Sequence, residues 1–264
     1  MIHTISIITK RGNTLSIKAC GNSGPAIFLL HGFPLDHRMW LNQIEPLGER
    51  YRVIVPELRG FGHSTVDSDY TLADLAEDVE QVRQHLAARE QIHLVGLSMG
   101  GYVCFEYWQA YSMNLKSLVL ANTKPSADDE TAKQGRLAMA AKALEQGTWP
   151  AVSPMMDRLI GSHCRGSAVE TAMREMMESA SPQAVAAAQR AMASRRDFTP
   201  MLPSIQTSTL VITGQHDVIA PPEPTKAWAS QIPGSSYVEL PDSGHMTTME
   251  SPEQFNQTLI DFIR

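Results

Sequence analysis

A single serine stands between two glycines in the stretch LVGLSMGG, residues 94–101. An apolar run typical of a buried strand leads into it, and the apolar segment GYVCFEYWQAY after it is compatible with a helix. A sharp turn from strand to helix crowds the residues two before and two after its centre, and Gly96 and Gly100 relieve that crowding. We therefore predict that Ser98 presents its hydroxyl at the tip of the turn as a nucleophile. The alternative is a plain glycine-rich turn.

A serine hydroxyl is a weak nucleophile unless a base accepts its proton, and that base is commonly a histidine oriented by a carboxylate. Downstream of Ser98, Asp217 follows the apolar run STLVIT and His245 follows the run SYVEL. Loops after neighbouring parallel strands meet at one edge of a sheet, so Ser98, Asp217 and His245 are predicted to form a catalytic triad. The acids left open as alternatives to Asp217 are Asp242, Asp128 and Asp129.

Acyl transfer by such a serine also needs N–H donors for the negative charge that develops on the carbonyl oxygen. One donor is predicted to be the backbone N–H of Met99, the residue after the nucleophile. The second is predicted to be Phe33 N–H in the loop LLHGFPLD, where Gly32 permits close approach and Pro34 has no N–H. His31 in the same loop is interpreted as structural support.

The elements that must position these residues appear as apolar runs separated by helical patterns. Short continuous apolar runs predict strands buried on both faces: AIFLL, RVIV, IHLVGL, KSLVLA, STLVIT and SYVEL. We therefore predict the α/β class, with a mostly parallel, doubly wound sheet. Residues 123–203 contain no strand pattern, so they are predicted to form a helical cap inserted between the core segments 1–122 and 204–264.

The predicted cap is rich in methionine, an adaptable side chain that fills irregular apolar space. Its methionines either line a permissive apolar pocket or pack among the helices, and the sequence leaves both explanations open. The candidates for lining a pocket are Trp149, Met155 and Met156. Arg195 and Arg196 also have two interpretations, a site for a substrate carboxylate or a solvated pair of charges.

The composition of the chain argues against nucleic acids and membranes as binding partners. The chain has 264 residues and a formal net charge of −6, whereas nucleic acids and anionic membranes are usually met by basic patches. No apolar run approaches the ~18 residues of a membrane span, and no secretory signal is apparent. The three cysteines lack the spacing of a disulfide framework or a metal site. We expect a cytoplasmic monomer or simple homo-oligomer that uses no metal or other cofactor and binds neither nucleic acid nor membrane.

Five motifs occur in order along the chain: HGFP, RGFGHS, GLSMGG, TGQHD and SGHMTTMESPEQF. Together they resemble the serine hydrolases of the α/β-hydrolase superfamily, above all small esterases, 3-oxoadipate enol-lactonase-like hydrolases and cofactor-free haloperoxidase-like esterases. The resemblance covers roughly residues 24–122 and 205–264, and it implies the fold, the Ser–Asp–His triad and a helical lid. One departure is Glu57 in PELRG, where the family more often has aspartate in a structural role.

The expected function is hydrolysis of carboxylic esters or lactones of small apolar substrates through an acyl-enzyme. The same triad serves C–C bond hydrolases and cofactor-free perhydrolases, and it is compatible with a hydrolase-fold receptor that binds a small molecule with little turnover. A haloalkane dehalogenase is disfavoured because that chemistry needs a carboxylate nucleophile, whereas position 98 is serine.

Overall fold

A single sheet of eight strands forms the centre of the computed structural model, which describes residues 1–264. The strands are β1 (His3–Ile8), β2 (Thr14–Cys20), β3 (Ala26–Leu30), β4 (Arg52–Pro56), β5 (Ile92–Leu97), β6 (Leu115–Ala121), β7 (Ser208–Gly214) and β8 (Ser236–Leu240). Their spatial order is β1-β2-β4-β3-β5-β6-β7-β8. The pairs β1–β2 and β2–β4 are antiparallel, and all other neighbours are parallel. The predicted mostly parallel α/β sheet is confirmed.

Helices connect the strands and cover the sheet. The α-helices are α1 (Leu41–Gly48), α2 (Leu72–Leu86), α3 (Met99–Tyr111), α4 (Glu130–Gln146), α5 (Thr148–Val152), α6 (Met156–Leu159), α7 (Ala168–Ser179), α8 (Pro182–Ala193), α9 (Pro222–Ala229), α10 (Thr247–Glu250) and α11 (Pro252–Ile263). Short 3₁₀ turns occupy His37–Trp40, Ser112–Asn114, Ser153–Met155, Ser162–Cys164 and Thr199–Ser204. None of the helices combines the length and the apolar character that crossing a membrane requires.

Strands β3 and β5, at the centre of the sheet, are buried along their whole length because both faces of the sheet are covered there. Every residue of β3 (AIFLL) and of β5 (IHLVGL) is buried. Continuous apolar sequence is what such a position requires, since a polar side chain on either face would lose its contact with water. At the sheet edge, β1 and β2 instead form a hairpin in which Ile7 lies opposite Leu15.

The register of the parallel strands brings their carboxyl ends to one edge. The aligned pairs near this edge are Leu30 with Gly96, Leu97 with Ala121, Ala121 with Ile212, and Gly214 with Leu240. The loops that follow β3, β5, β6, β7 and β8 therefore leave the sheet side by side. This edge is where an open α/β sheet assembles a site.

The segment between β6 and β7 contains only helices and 3₁₀ turns among its regular elements. Helix α4 packs along α8, and α5 packs against α7. Four methionines of this segment are at most 2% exposed: Met173, Met176, Met177 and Met192. Of the two explanations left open for the methionines, packing therefore applies to these four. The division of the chain into a core and a cap at residues 123 and 203 stays a prediction.

Candidate active site

Ser98 lies at the turn between β5 and α3, with a φ of 55° and a ψ of −113°. A positive φ is uncommon for a residue with a side chain and costs energy, so the turn holds Ser98 in a strained conformation. Two hydrogen bonds of 2.9 Å fix this backbone, from Ser98 N–H to Ala121 O and from Thr123 Oγ1 to Ser98 O. The residue is half-buried, so part of it remains open to solvent.

Two glycines leave the room that this turn needs. A Cβ at Gly96 would collide with the carbonyl of Gly100, and a Cβ at Gly100 would collide with the carbonyl of Leu30. Gly32 borders the same turn, since a Cβ there would lie 3.4 Å from Ser98 Cβ. Larger residues at positions 96 and 100 would push the strand, the turn and the helix apart.

Asp217 and His245 are in direct contact at the same edge of the sheet. His245 Nδ1 lies 2.8 Å from Asp217 Oδ2, and both side chains are buried. The other carboxylate oxygen, Oδ1, accepts hydrogen bonds from Ile219 N–H at 2.7 Å and Ala220 N–H at 2.9 Å. Burial by itself raises the pKa of Asp217, but the neighbouring imidazole and these hydrogen bonds outweigh it and hold the pKa below its ordinary value. The carboxylate is therefore ionised and fixed in orientation.

Asn122, the first residue after β6, supports this pair from the side. Its Nδ2 donates to Asp217 Oδ2 at 2.9 Å, and its Oδ1 accepts from Thr247 Oγ1 at 2.6 Å. Asn122 has a φ of 48°, a conformation that asparagine tolerates better than most residues. Sequence reasoning did not select Asn122, although its position directly after an apolar strand at this edge was a usable signal.

The second ring nitrogen of His245, Nε2, forms no hydrogen bond. Nε2 is buried and has no hydrogen-bond partner in the protein. No hydrogen bond joins it to Ser98 Oγ, so the structure brings His245 onto Asp217 but does not connect it to the serine. A buried nitrogen without a partner costs stability, and in ligand-free enzymes the contact between nucleophile and base is often long.

The loop after β3 carries the predicted second N–H donor. Phe33 N–H and Met99 N–H both lack an acceptor within the protein, and Met99 is the first residue of α3, where an intrahelical partner is missing. His31 holds this loop: Nδ1 lies 2.9 Å from Gly32 O, and Nε2 accepts from Leu58 N–H at 2.9 Å. Burial lowers the pKa of His31, so its ring is neutral and both nitrogens are used for support.

Glu57 joins the loop after β3 to the loop after β4. Its Oε1 lies 2.6 Å from His37 Nδ1, and its Oε2 accepts from His63 N–H at 2.9 Å. Burial alone raises the pKa of Glu57, but the hydrogen bonds from His37 and from His63 N–H outweigh it and lower the pKa to about 2. Glu57, where the family more often has aspartate, thus still places an ionised carboxylate next to the loop that contains Phe33.

Glu57→Gln is expected to destabilise the fold at neutral pH and much less in acid. The pKa of Glu57 is about 2 in the folded chain against an ordinary value of 4.5. The ionised Glu57 therefore stabilises the folded state fully when the pH is above 4.5. This stabilisation is lost as the pH falls through the folded-state pKa of about 2. Urea unfolding at neutral pH and at about pH 3 measures the difference. Glu49→Gln, at an exposed position, is the control, and an equal loss at both pH values for Glu57→Gln would contradict the prediction.

Glu250 fastens the loop of His245. Its Oε2 accepts from Gly244 N–H and from Gly161 N–H, both at 2.9 Å, and its Oε1 accepts from Met246 N–H at 2.9 Å. Gly244 and Met246 flank His245, so one buried carboxylate holds the backbone on both sides of the imidazole and ties it to the segment between β6 and β7. Sequence reasoning did not select Glu250, although it stands in the motif SGHMTTMESPEQF.

The other acids considered beside Asp217 are engaged elsewhere. Asp128 forms ion pairs with two arginines, and Asp129 caps the first turn of α4. Asp242 is exposed and has a φ of 52°, typical of a turn. Of these carboxylates, Asp217 is the one in contact with His245.

The residues predicted to line a pocket have different surroundings. Met155 lines a cleft together with Tyr102 of α3 and Ile219 of the loop after β7. Met156 is 6% exposed and packs in the hydrophobic core. Trp149 is half-buried, and the guanidinium of Arg174 lies 4.7 Å from its ring centre. Met155 thus lies on the cleft, and pocket lining by Trp149 and Met156 stays a prediction.

Two groups of side chains bring metal-ligand types close together: His163, Cys164 and Glu250, and Asp36, His37 and Glu57. Their carboxylates already have partners. Glu250 accepts three backbone N–H groups, Asp36 is paired with Arg38, and Glu57 is bound by His37. All three cysteines are buried and free. Hydrogen bonds within the protein account for both groups.

Comparison with known proteins covers nearly the whole chain. A model of the alpha/beta hydrolase fold family matches residues 25–252. The 3-oxoadipate enol-lactonase 1 of Acinetobacter baylyi is 28% identical over 274 residues, which cover 100% of this chain and 98% of that protein.

Two solved structures extend the similarity to three dimensions. A thermophilic esterase from Thermogutta terrifontis has a TM-score of 0.95 and 38% identity, with 99% of this chain and 98% of that chain covered. The enol-lactonase from Burkholderia xenovorans has a TM-score of 0.90 and 26% identity, with 98% and 99% covered. The chain belongs to the alpha/beta hydrolase fold family.

Proposed function

We propose that Ser98, His245 and Asp217 are the catalytic triad of a hydrolase that cleaves esters or lactones of small molecules. The observation that carries the proposal is the buried pair of Asp217 and His245, whose Oδ2 and Nδ1 atoms lie 2.8 Å apart. The other imidazole nitrogen, His245 Nε2, has no partner, and His245 follows β8 at the same sheet edge as the strained turn of Ser98. The similar proteins described above are an esterase and enol-lactonases. The chain is accordingly a carboxylic ester hydrolase, and the triad is our assignment of its chemistry.

In this mechanism Ser98 Oγ attacks the carbonyl carbon of the substrate and passes its proton to His245 Nε2. Asp217 keeps Nδ1 protonated and stabilises the imidazolium that forms. The N–H groups of Phe33 and Met99 stabilise the oxyanion, a contribution that typically amounts to about 10²–10³ in turnover for each donor. His245 then protonates the leaving alcohol and afterwards activates a water, which hydrolyses the acyl-enzyme.

A fluorophosphonate probe is expected to inactivate the enzyme by attaching to Ser98. Ser98 Oγ attacks phosphorus, fluoride leaves, and the tetrahedral phosphonyl adduct occupies the place of the oxyanion intermediate. Intact mass gives the number of adducts, peptide mapping gives the site, and residual hydrolysis of p-nitrophenyl acetate gives the activity at each stage of labelling.

Activity should fall in proportion to the single adduct, and an excess of a hydrolysable ester should slow the labelling. Complete labelling with full residual activity, or an adduct on another residue that accounts for the inactivation, would remove Ser98 from the mechanism.

A further inference from the structure

A cleft of about 380 Å³ lies between the core and the helices inserted after β6. A volume between about 300 and 1,000 Å³ is usual for a small-molecule site. Tyr102 of α3 and Ile219 of the loop after β7 line one side, and the segment between β6 and β7 contributes Lys124, Met139 and Met155 among others. The cleft therefore combines an apolar lining with at least one charged group.

Residues of this lining are tied to the proposed triad. Tyr102 N–H donates to Ser98 O at 3.3 Å, and Ile219 N–H donates to Asp217 Oδ1 at 2.7 Å. Lys124 directly follows the residue whose hydroxyl donates to Ser98 O. Two residues of the cleft lining are therefore one hydrogen bond away from Ser98 or Asp217.

The cleft has an excess of positive charge, although the chain as a whole carries a net charge of −6. Lys124, Arg136 and Arg158 line it, against the single carboxylate of Asp128. Asp128 also pairs with the buried Arg195. Arg136, Arg195 and Lys124 therefore share the Asp128 carboxylate, and Lys124 is the most distant of them, with 3.8 Å between Nζ and Oδ1.

Two of these cations are committed to the protein. The Arg195 guanidinium donates to Asp128 Oδ1 at 2.7 Å and lies 4.5 Å from the ring centre of Tyr102. Arg136 pairs with Asp128 and donates to Gln189 Oε1 at 3.2 Å. Arg195 is therefore not part of a solvated pair of charges, and its guanidinium is not free to bind a substrate carboxylate.

Lys124 and Arg158 are the less engaged cations: Arg158 forms no ion pair, and the one carboxylate near Lys124 is Asp128, at 3.8 Å, which already pairs with two arginines. Burial lowers the pKa of Lys124, and repulsion from Arg195 and Arg136 acts in the same direction. An ammonium in such surroundings is stabilised by an anion that enters the cleft. The side chain of Lys124 is 37% exposed, so a ligand can reach it.

We propose that this cleft binds a carboxylate of the substrate, so that the enzyme prefers esters or lactones that carry an anionic group away from the scissile carbonyl. Lys124 provides the principal charge and Arg158 a second one, while Met139, Met155 and Ile219 contact the apolar chain between the two ends. The inference rests on the proposed function, because the triad must act on the other end of the same molecule.

A half-ester and a neutral ester of equal length differ mainly in charge, so comparing them separates the effect of substrate charge from that of substrate size. Monomethyl succinate, glutarate and adipate are each compared with the methyl alkanoate of the same acyl length, and released methanol is measured. At the best length, kcat/KM of the half-ester should exceed that of the neutral ester by about tenfold or more, because hydrogen bonds to charged groups are among the stronger ones. Added salt should raise KM for the half-ester and not for its neutral partner.

Lys124→Gln should lower the ratio of the two kcat/KM values by about tenfold, chiefly through KM of the half-ester. Lys142→Gln, on α4 but outside the cleft lining, is the matched control and should leave the ratio unchanged. A wild-type ratio near one, or a ratio that Lys124→Gln does not alter, overturns the proposal. If Lys124→Gln does not fold, Arg158→Gln tests the same ratio from an exposed position.

Failure of the proposed function would look different, since wild type and Ser98→Ala would then hydrolyse the neutral ester equally fast. Calorimetric titration of glutarate into Ser98→Ala tests the cleft without any turnover. Binding that is weakened about tenfold by adding Lys124→Gln supports the cleft. Binding that is absent, or that survives Lys124→Gln, overturns it.

Discussion

Ser98→Ala is expected to reduce kcat/KM for p-nitrophenyl acyl esters by about 10⁴-fold or more, because it removes the atom that we propose forms the acyl-enzyme. The N–H donors and the binding cleft remain in the variant, so a small residual rate above the uncatalysed reaction is expected. Initial rates across acyl chains from acetate to decanoate measure the loss. A variant that keeps a tenth of the wild-type activity would show that another group attacks the substrate.

Ser98→Gly is the matched control for folding. It removes the same hydroxyl, so its activity should be as low as that of Ser98→Ala. Glycine also relieves the strain of the positive φ, so its free energy of unfolding should exceed that of Ser98→Ala by about 1 kcal/mol or more. If Ser98→Gly is inactive and yet more stable than Ser98→Ala, the loss of activity comes from the missing hydroxyl and not from unfolding.

Asp217→Asn is expected to lower kcat by about 10⁴-fold while the protein stays folded. Asp217 Oδ1 accepts two backbone N–H groups, so the amide oxygen of the variant takes that place and its NH₂ group faces His245 Nδ1. A donor in that position favours the tautomer with the proton on Nε2, which cannot accept the proton of Ser98. The same NH₂ would also oppose the donor Nδ2 of Asn122.

Steady-state kinetics at neutral pH measures this effect, with Asp242→Asn as the control. Asp242 is close to His245 in sequence, but it is exposed and makes no contact with the imidazole. Its replacement should therefore change kcat by no more than about twofold, as expected for a surface substitution. Equal effects of the two substitutions would exclude Asp217 as the residue that orients His245.

Much of the fold could be predicted because its signals are local. The run AIFLL is apolar at every position and IHLVGL at all positions but His93, and that pattern is typical of strands covered on both faces. The conflict that Gly96 relieves at the Ser98 turn is equally local, since it involves the carbonyl of Gly100, whereas Gly100 makes room for the carbonyl of Leu30 on the neighbouring strand. Such features depend on covalent geometry and periodicity, which a sequence displays directly.

Other features depend on which residues meet across the fold. Asp217, Asp242, Asp128 and Asp129 were all compatible with the sequence pattern, and the order of the strands then decided which carboxylate lies against His245. Asn122 and Glu250 were not selected: the position of Asn122 after an apolar strand hinted at the site, but the partners that each side chain holds come from distant parts of the chain.

The sequence by itself determined the α/β sheet, the serine turn and the short set of residues from which a base and an acid could come. Tertiary structure alone decided that Arg195 is locked against Asp128 while Lys124, two residues after Asn122, faces the cleft. The physical reason is the range of the forces involved. Backbone sterics and hydrophobic periodicity act between near neighbours, whereas the pairing of buried charges depends on distances set by strands and helices far apart in sequence.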